Sequence, residues 1–338
     1  MATFTEYPLD FREKTLKRIF GSIDAGDSLS LIGIGNVGKT HLIRHITNRL
    51  DVQQHGLGLM QSGLKPSSLL FVVVDSGAMP QAAADTPLSW VGLDLIFRRL
   101  KDALRGSKHQ NQRDLIGQID DLHKESRDNT RYGPYEQLEE AFRLTLESML
   151  PDSGRIIIFL DDFDDFINHM DDSQGELWKN LDSLRARFHY QVPYFVWSRR
   201  PQNTGASSDR HSSALDAFFR KFHDEPEYIG PYEGKDQDVL FDTLLSRLVR
   251  MERPTVRPIK KKLMYITGGH GGLARACFDQ RDIFIDNDSM DDIIEEAITY
   301  QNIGDSCKTI LESLNSPEAE VLKKVAKGQF QGATHYLG

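Results

Sequence analysis

A glycine-rich stretch between an apolar run and a helical pattern constrains the fold of this chain more than any other feature. Leu29 to Ile34 is a mostly apolar run, which is typical of a buried strand. It leads into the motif G-x-x-x-x-G-K-T at Gly33 to Thr40. Apolar residues then recur at helical spacing, at Leu42, Ile43 and Ile46. The sequence therefore predicts a strand, a tight glycine loop and a helix, in that order.

This arrangement is suited to binding phosphate. Glycines let successive backbone N–H groups point at one anion, and the following helix presents its positive dipole end to the same place. The Lys39 side chain can reach the β- and γ-phosphates, and the Thr40 hydroxyl can ligate Mg²⁺. The rest of the nucleotide site is expected at Gly33, Gly35, Asn36, Val37, Gly38 and His41. The alternative is an ordinary glycine turn with a solvated lysine, and the strand–loop–helix context argues against it.

A second apolar run ends in carboxylates. Ile156 to Leu160 predicts a fully buried strand, and it is followed by Asp161 and Asp162. At the carboxyl end of a parallel strand, one acid can hold Mg²⁺ through water while its neighbour orients an attacking water. We assign Asp161 to the metal and Asp162 to water activation. Aspartate is also common at the start of a helix, so Asp164 or Asp165 is expected to cap one.

Another predicted strand ends in a hydroxyl group and two arginines. Tyr194 to Trp197 precedes Ser198, Arg199 and Arg200, and near a γ-phosphate such side chains can sense its presence. A basic exit from the strand without any such role is the alternative. Two further strands are predicted at Ser68 to Asp75 and at Glu227 to Ile229.

The remaining segments are read from periodicity and polarity. Residues 9–21 and Glu136 to Leu150 predict amphipathic helices. Residues 53–67 are polar and rich in glycine, which predicts a loop, and residues 105–133 predict an exposed polar insertion with about one helix. From Gly234 onward the pattern is helical only.

Composition limits the class of protein. The 338 residues carry a net charge of −9, which argues against a general coat of basic residues for nucleic acid. The sequence has two cysteines, Cys277 and Cys307, and no metal-binding spacing, which together favour a reducing cytoplasm. Neither a secretory signal nor a membrane span is predicted. A dense basic cluster lies in the C-terminal part, at Arg257, Lys260, Lys261 and Lys262.

Taken together, these motifs resemble the STAND and origin-recognition-like branch of the AAA+ ATPases. The resemblance rests on the glycine motif, IIIFLDDFDD, the strand ending in SRRP and the helical stretch GGHGGLAR. It implies an α/β P-loop NTPase of the ASCE type, with a parallel five-stranded sheet in the order 5-1-4-3-2. An all-helical lid and the start of a winged-helix domain would follow. The implied domains are 1–231 for the ATPase core, 232–303 for the lid, and 304–338 for a linker and the first winged-domain helix.

The resemblance also implies roles for individual residues. Asp161 and Asp162 are similar to the family's paired acids, and Ser198 or Arg199 to its sensor of the γ-phosphate. Arg275 resembles the lid arginine that contacts this phosphate, and Arg12 lies where relatives place a motif lining the adenine pocket.

Two positions depart from the family pattern. Gly271 stands where relatives commonly have proline, and Asp162 stands where vigorous hydrolases have glutamate. Since aspartate is one methylene shorter than glutamate, slow ATP hydrolysis to ADP is expected.

Three functions are compatible with these features. The main expectation is an ATP-driven molecular switch that couples its nucleotide state to self-association or to an effector beyond residue 338. The alternative is a DNA-associated ATPase of the origin-recognition or transposition-regulator type, with the basic cluster of residues 257–262 as the DNA contact; the switch is preferred. A nucleotide-bound scaffold without turnover ranks lower, because Lys39 and the acidic pair are intact.

Overall fold

The computed structural model describes residues 7–75, 88–107, 112–128, 134–149, 154–169, 175–200, 213–223, 225–248, 252–287, 289–314 and 318–320. These residues form two compact units. The first unit comprises Leu9–Ile32 and the described residues of Lys39–Ile229. The second comprises Gly33–Gly38, which we call the glycine loop, together with the described residues from Gly230 onward and residues 7–8.

The first unit is built on a parallel five-stranded sheet. Its strands are β1 (Leu29–Ile32), β2 (Leu69–Asp75), β3 (Arg155–Asp161), β4 (Tyr194–Ser198) and β5 (Glu227–Tyr228). The spatial order is β2-β3-β4-β1-β5, and the paired strands are all parallel. This is the predicted order 5-1-4-3-2, so the fold-class prediction is confirmed for the sheet. All seven residues of β3 are buried, as expected for a central strand covered on both faces.

Helices pack around this sheet and form most of the core. In chain order they are α1 (Glu13–Ala25), α2 (Lys39–Thr47), α3 (Leu50–Leu59), α4 (Leu88–Gly106), α5 (Gln112–Asp128), α6 (Tyr135–Ser148), α7 (Phe163–His169), α8 (Glu176–Phe188) and α9 (Ser213–Phe219). One continuous cluster joins β3 to α4, α5, α6 and α8 through buried aliphatic and aromatic side chains. Because β3 is held along its whole length, the acids at its carboxyl end have a fixed position.

The predicted loop at residues 53–67 is wrong over its first half. Residues 53–59 belong to α3, in which Val52 and Leu57 are buried. Gly56 lies so close to α1 that a β-carbon on it would overlap the Phe20 ring. The glycines that predict a loop therefore include one that allows two helices to approach closely.

The predicted exposed insertion at residues 105–133 is also wrong in part. The expected helix is α5, but Leu115 and Ile119 on it are buried in the main core. A buried imidazole, His123, bridges α5 to α4: its Nε2 lies 2.6 Å from Asp94 Oδ1 and its Nδ1 lies 2.9 Å from Lys101 Nζ. A narrow apolar stripe and one polar bridge are enough to dock a helix whose average composition is polar.

The second unit is helical, as predicted. Its helices are α10 (Lys235–Leu245), α11 (Arg253–Val256), α12 (Lys260–Thr267), α13 (Gly271–Asp279), α14 (Asp282–Asp286), α15 (Met290–Ala297) and α16 (Gln301–Glu312). The expected winged-domain helix falls mainly outside the described residues, of which only 318–320 lie beyond residue 314. Among the helices described, none has the length and apolarity needed to cross a membrane.

Candidate functional site: a phosphate loop and an acidic strand end

The helix that follows the glycine loop begins with the predicted phosphate-binding lysine. Lys39 is the first residue of α2, and its side chain is buried, with 6% exposed. Burial lowers the pKa of the Lys39 ammonium, while the nearby carboxylates of Asp162, Asp164 and Asp161 oppose that shift. The three carboxylates therefore offset part of the cost of burying this cation.

The next residue contacts the acidic strand end directly. Thr40 Oγ1 donates a hydrogen bond to Asp161 Oδ2 at 3.0 Å. Burial and, after it, the neighbouring carboxylates of Asp162 and Asp75 raise the pKa of Asp161 to about 6, while the hydrogen bond from Thr40 opposes the shift. Asp75 ends β2 and pairs in register with Asp161 at the end of β3. Three carboxylates at one edge of the sheet create a negative field that favours a cation.

The proposed water-activating residue has a strained backbone. Asp162 adopts a φ of 48°, in the left-handed region that non-glycine residues rarely enter. Its carbonyl accepts hydrogen bonds from the N–H groups of Asp165 and Phe166, so Asp162 immediately precedes the first turn of α7. Burial raises the pKa of Asp162, and the charges of Lys39 and Arg199 counteract this. Such strain typically costs 1–3 kcal/mol and is often retained at functional sites.

The end of β4 is tied to the first turn of α7. The Ser198 hydroxyl donates to the carbonyl of Arg200 at 2.8 Å. The Arg199 N–H donates to Asp164 Oδ2 at 2.5 Å, and the Arg199 guanidinium pairs with Asp165 Oδ2 at 3.0 Å. Asp164 and Asp165, one of which is expected to cap a helix, therefore both bind the residue predicted to sense phosphate.

In the second unit, the glycine loop is hydrogen-bonded to residues at the ends of helices far along the chain. The Gly35 N–H donates to Ser313 Oγ at 3.0 Å, and the Gly35 carbonyl accepts from His270 Nε2 at 2.8 Å. The other ring nitrogen of His270 accepts from the Leu273 N–H, which places the hydrogen on Nε2. Asn36, with a φ of 60°, accepts from the Gly272 N–H at 3.0 Å.

The side chain of Tyr232 leaves no room for a side chain at two of the glycines, Gly38 and Gly271. Tyr232 is almost fully buried, and a β-carbon on Gly38 would overlap its hydroxyl oxygen. Gly38 also has a φ of 104°, which disfavours any side chain. A β-carbon on Gly271 would lie 2.9 Å from the Tyr232 ring. A side chain at position 271, such as a proline ring, would therefore meet this tyrosine.

The fold is that of a P-loop NTPase. A glycine motif ending in Lys39 and Thr40 connects β1 to α2, and Thr40 contacts the acidic end of β3. The strand β4 lies between β1 and β3, as expected for the ASCE arrangement.

The predicted site residues are distributed over both units. The first unit brings together Lys39, Thr40, Asp161, Asp162 and Arg199, with Ser198 at the end of β4 and His41 on α2. The second holds Gly33, Gly35, Asn36, Val37 and Gly38. Arg12, buried and with a φ of 50°, belongs to the first unit, and Arg275, exposed on α13, belongs to the second.

Several contacts were not anticipated from the sequence. Asp75 adds to the acidic strand end, and the apolar run that it terminates resembles the one before Asp161. Tyr232, His270 and Ser313 hold the glycine loop, but they lie roughly 200 or more residues beyond it, so no local pattern identifies them. In the second unit the charge of Arg275 lowers the pKa of the Tyr7 phenol, although burial outweighs this and raises that pKa overall.

Half of the predicted basic cluster makes internal contacts. Lys260 pairs with Asp238 and lies over the Phe241 ring, and Lys262 donates to the carbonyls of Phe284 and Asn287. Arg257 and Lys261 are exposed, and so is Tyr265, one helical turn after Lys261, with 75% of its surface accessible.

Comparison with solved structures finds similar chains at low identity. The ORC2 protein of Aeropyrum pernix in its ADP form is 15% identical, with a TM-score of 0.47, over 97% of this chain and 76% of that one. The same protein in ADPNP–ADP complexes is 16% identical, with a TM-score of 0.47, over 87% and 68%. Drosophila ORC bound to AT-rich DNA and Cdc6 is 12% identical, with a TM-score of 0.32, over 95% and 93%. No protein-family model and no curated protein sequence matches this chain.

Proposed function

We propose that this chain binds ATP together with Mg²⁺ and hydrolyses the ATP slowly. The observation that carries the proposal is the hydrogen bond of Thr40 to Asp161, beside the buried ammonium of Lys39. A hydroxyl and a carboxylate are the oxygen ligands that Mg²⁺ prefers, and the lysine supplies the cation that phosphate requires.

The residues present fit a magnesium ion. Burial and the neighbouring acids raise the pKa of Asp161 to about 6, so its charged form gains from a nearby cation. Thr40 would hold the metal directly and Asp161 would hold it through water. When bound, Mg²⁺ would offset charge on the phosphate oxygens.

Lys39 and Asp162 then have separate roles in binding and hydrolysis. Lys39 holds the phosphates as a point charge, and its pKa, already lowered by burial, rises again when they bind. Asp162 orients the attacking water and accepts its proton, a role favoured by the raised pKa of this carboxyl. Because Asp162 is shorter than glutamate, it holds this water less closely, which supports slow turnover.

Two substitutions test the assignment. Lys39→Ala is expected to abolish ATP binding in titrations with a fluorescent nucleotide while the fold is retained. Asp162→Asn is expected to keep ATP affinity and to lose at least 100-fold in phosphate release, as typical for loss of general base catalysis. Asp121→Asn, on the exposed face of α5, is the charge-matched control. Micromolar ATP affinity in the Lys39→Ala variant would overturn the proposal.

We further propose that nucleotide state controls self-association or an attached effector. The support is that the helical unit supplies hydrogen bonds to the glycine loop from His270, Gly272 and Ser313. A ligand that changes the loop conformation must change these bonds, and the linkage is reciprocal. Sedimentation with ATP and with ADP tests the idea, and identical association states under both nucleotides would argue against it.

A DNA-associated ATPase is the second candidate. Arg257, Lys261 and Tyr265 are exposed at successive four-residue steps, which places two cations and an aromatic ring together for phosphate contact and base stacking. Arg257→Glu with Lys261→Glu should lower the salt-dependence slope of DNA affinity by about 2. The double variant Lys124→Glu and Lys179→Glu, at two exposed positions elsewhere, is the matched control. Equal effects of both double variants would exclude a specific DNA surface at residues 257–265.

A further inference from the structure

Two adjacent acids on α7 hold different parts of the same arginine. Asp164 Oδ2 accepts the backbone N–H of Arg199 at 2.5 Å, which fixes the position of this residue at the end of β4. Asp165 Oδ2 pairs with the guanidinium at 3.0 Å, which fixes the direction of the side chain. The main chain and the side chain of Arg199 are thus held by separate groups.

The two contacts differ in how easily they break. The side chains of Arg199 and Asp165 are 39% and 40% exposed, and ion pairs this exposed contribute little to stability. The bond to Asp164 is directed by a backbone N–H and holds the main chain where both β4 and α7 are well packed. The guanidinium can therefore move while its backbone remains in place.

The guanidinium also lies close to the acidic strand end. Its charge affects both Asp162 and Lys39, the residues assigned above to water activation and phosphate binding. An arginine near this point would meet the terminal phosphate of a bound triphosphate, for which it can form two parallel hydrogen bonds. A diphosphate presents no group there.

We propose that Asp165 is a holding carboxylate, which keeps the Arg199 guanidinium in a resting position until a terminal phosphate displaces it. Asp164 is the positioning residue that keeps the backbone of Arg199 within reach. This inference rests on the proposed nucleotide function and adds a step to it: ATP, and not ADP, exchanges one anionic partner of Arg199 for another.

The two acids are then expected to have opposite effects. Asp165→Ala releases Arg199, so ATP affinity should rise by about 1.5- to 5-fold, the range expected for losing an exposed ion pair, with ADP affinity unchanged. Asp164→Ala frees the backbone, so ATP affinity should fall relative to ADP affinity. Asp164→Asn should restore it, because the amide oxygen still accepts the N–H.

The decisive control is the same substitution without the arginine. Removing any acid near a triphosphate can tighten binding by general electrostatics, so Asp165→Ala is also measured in the Arg199→Ala background. Calorimetric titration with ATP and with ADP gives the ratio of the two affinities for each variant, and thermal denaturation without nucleotide checks folding.

The ratio of ATP affinity to ADP affinity in these variants distinguishes the holding role from its alternatives. A gain in the ATP-to-ADP affinity ratio that vanishes in the Arg199→Ala background supports the holding role. The same gain in both backgrounds, or no gain while the Lys39→Ala variant loses nucleotide, overturns it and leaves the proposed function intact. Retention of nucleotide by Lys39→Ala overturns both.

Discussion

A buried histidine on the helix after the glycine loop links stability to pH. His45 is 4% exposed and meets the edge of the Phe11 ring, with the ring centroids 5.5 Å apart. Burial and, after it, the charge of Arg49 lower the pKa of His45 to about 4. The folded protein therefore keeps this imidazole neutral at a pH where the unfolded chain protonates it.

The free energy of unfolding should consequently fall as the pH drops. Between about pH 6.5 and pH 4 the unfolded state binds more protons at this site, which removes roughly 3 kcal/mol of stability. Urea unfolding of wild type and His45→Gln at pH 7 and pH 4.5 measures this term, and the difference between the two proteins should shrink at the lower pH. His189→Asn, at an exposed histidine, is the control. An equal pH dependence in wild type and His45→Gln would contradict the prediction.

Among individual residues, the sequence identifies the candidate site residues that belong to a local motif. Lys39, Thr40 and Asp161 follow apolar strands at fixed spacing, and the structure brings them together. It does not find their distant partners. The contact of Arg199 with Asp165 joins positions 34 apart, and that of Gly35 with Ser313 joins positions 278 apart. Nothing in either local segment specifies the other, because the pairing depends on the packed fold.

Among the helices, α3 shows why a glycine-rich composition can wrongly predict a loop. Its two internal glycines, Gly56 and Gly58, predict a loop by their residue type, yet their surroundings in the helix differ. Gly56 is required by the Phe20 ring on α1, whereas a β-carbon on Gly58 would meet nothing within 4 Å. Only the tertiary contact distinguishes them.

The two glycines therefore provide a matched pair of substitutions. Gly58→Ala should stabilise the protein by about 0.5–1 kcal/mol, because alanine has the higher helix propensity at an open site. Gly56→Ala should destabilise it by about 1–3 kcal/mol, because the methyl group forces α3 and α1 apart. Thermal or urea unfolding of both variants tests the pair, and shifts of the same sign would show that α3 does not pack on α1 as described.

For the whole molecule, the sheet order and the helical second unit follow from the sequence, whereas the placement of the glycine loop in the second unit does not. One of the boundaries between the units falls within the glycine motif, between Gly38 and Lys39. Sequence reasoning treats that motif as one piece, because its residues are contiguous. Its backbone hydrogen bonds instead assign the glycine loop to helices near the C-terminal end of the chain.

The hydrogen bonds of Gly35 to His270 and Ser313 have a consequence for the order of folding. The first contact joins positions that are 235 residues apart in the chain, and the second joins positions that are 278 apart. Because such contacts close very long loops, we expect them to form later than local contacts. The sheet of the first unit does not need them. We therefore expect nucleotide-binding competence to be acquired after the sheet has formed, both in refolding and during synthesis.

The positions of the tryptophans make this measurable. Trp90, Trp178 and Trp197, the three tryptophans of the sequence, all belong to the first unit, so their fluorescence reports on that unit alone. In stopped-flow refolding, the tryptophan signal should recover before the signal of a fluorescent nucleotide added in excess. Coincident recovery at several nucleotide concentrations would show that the loop matures with the sheet. During synthesis, the first unit, which includes Lys39, is expected to fold before the helices that complete the adjoining glycine loop have been made.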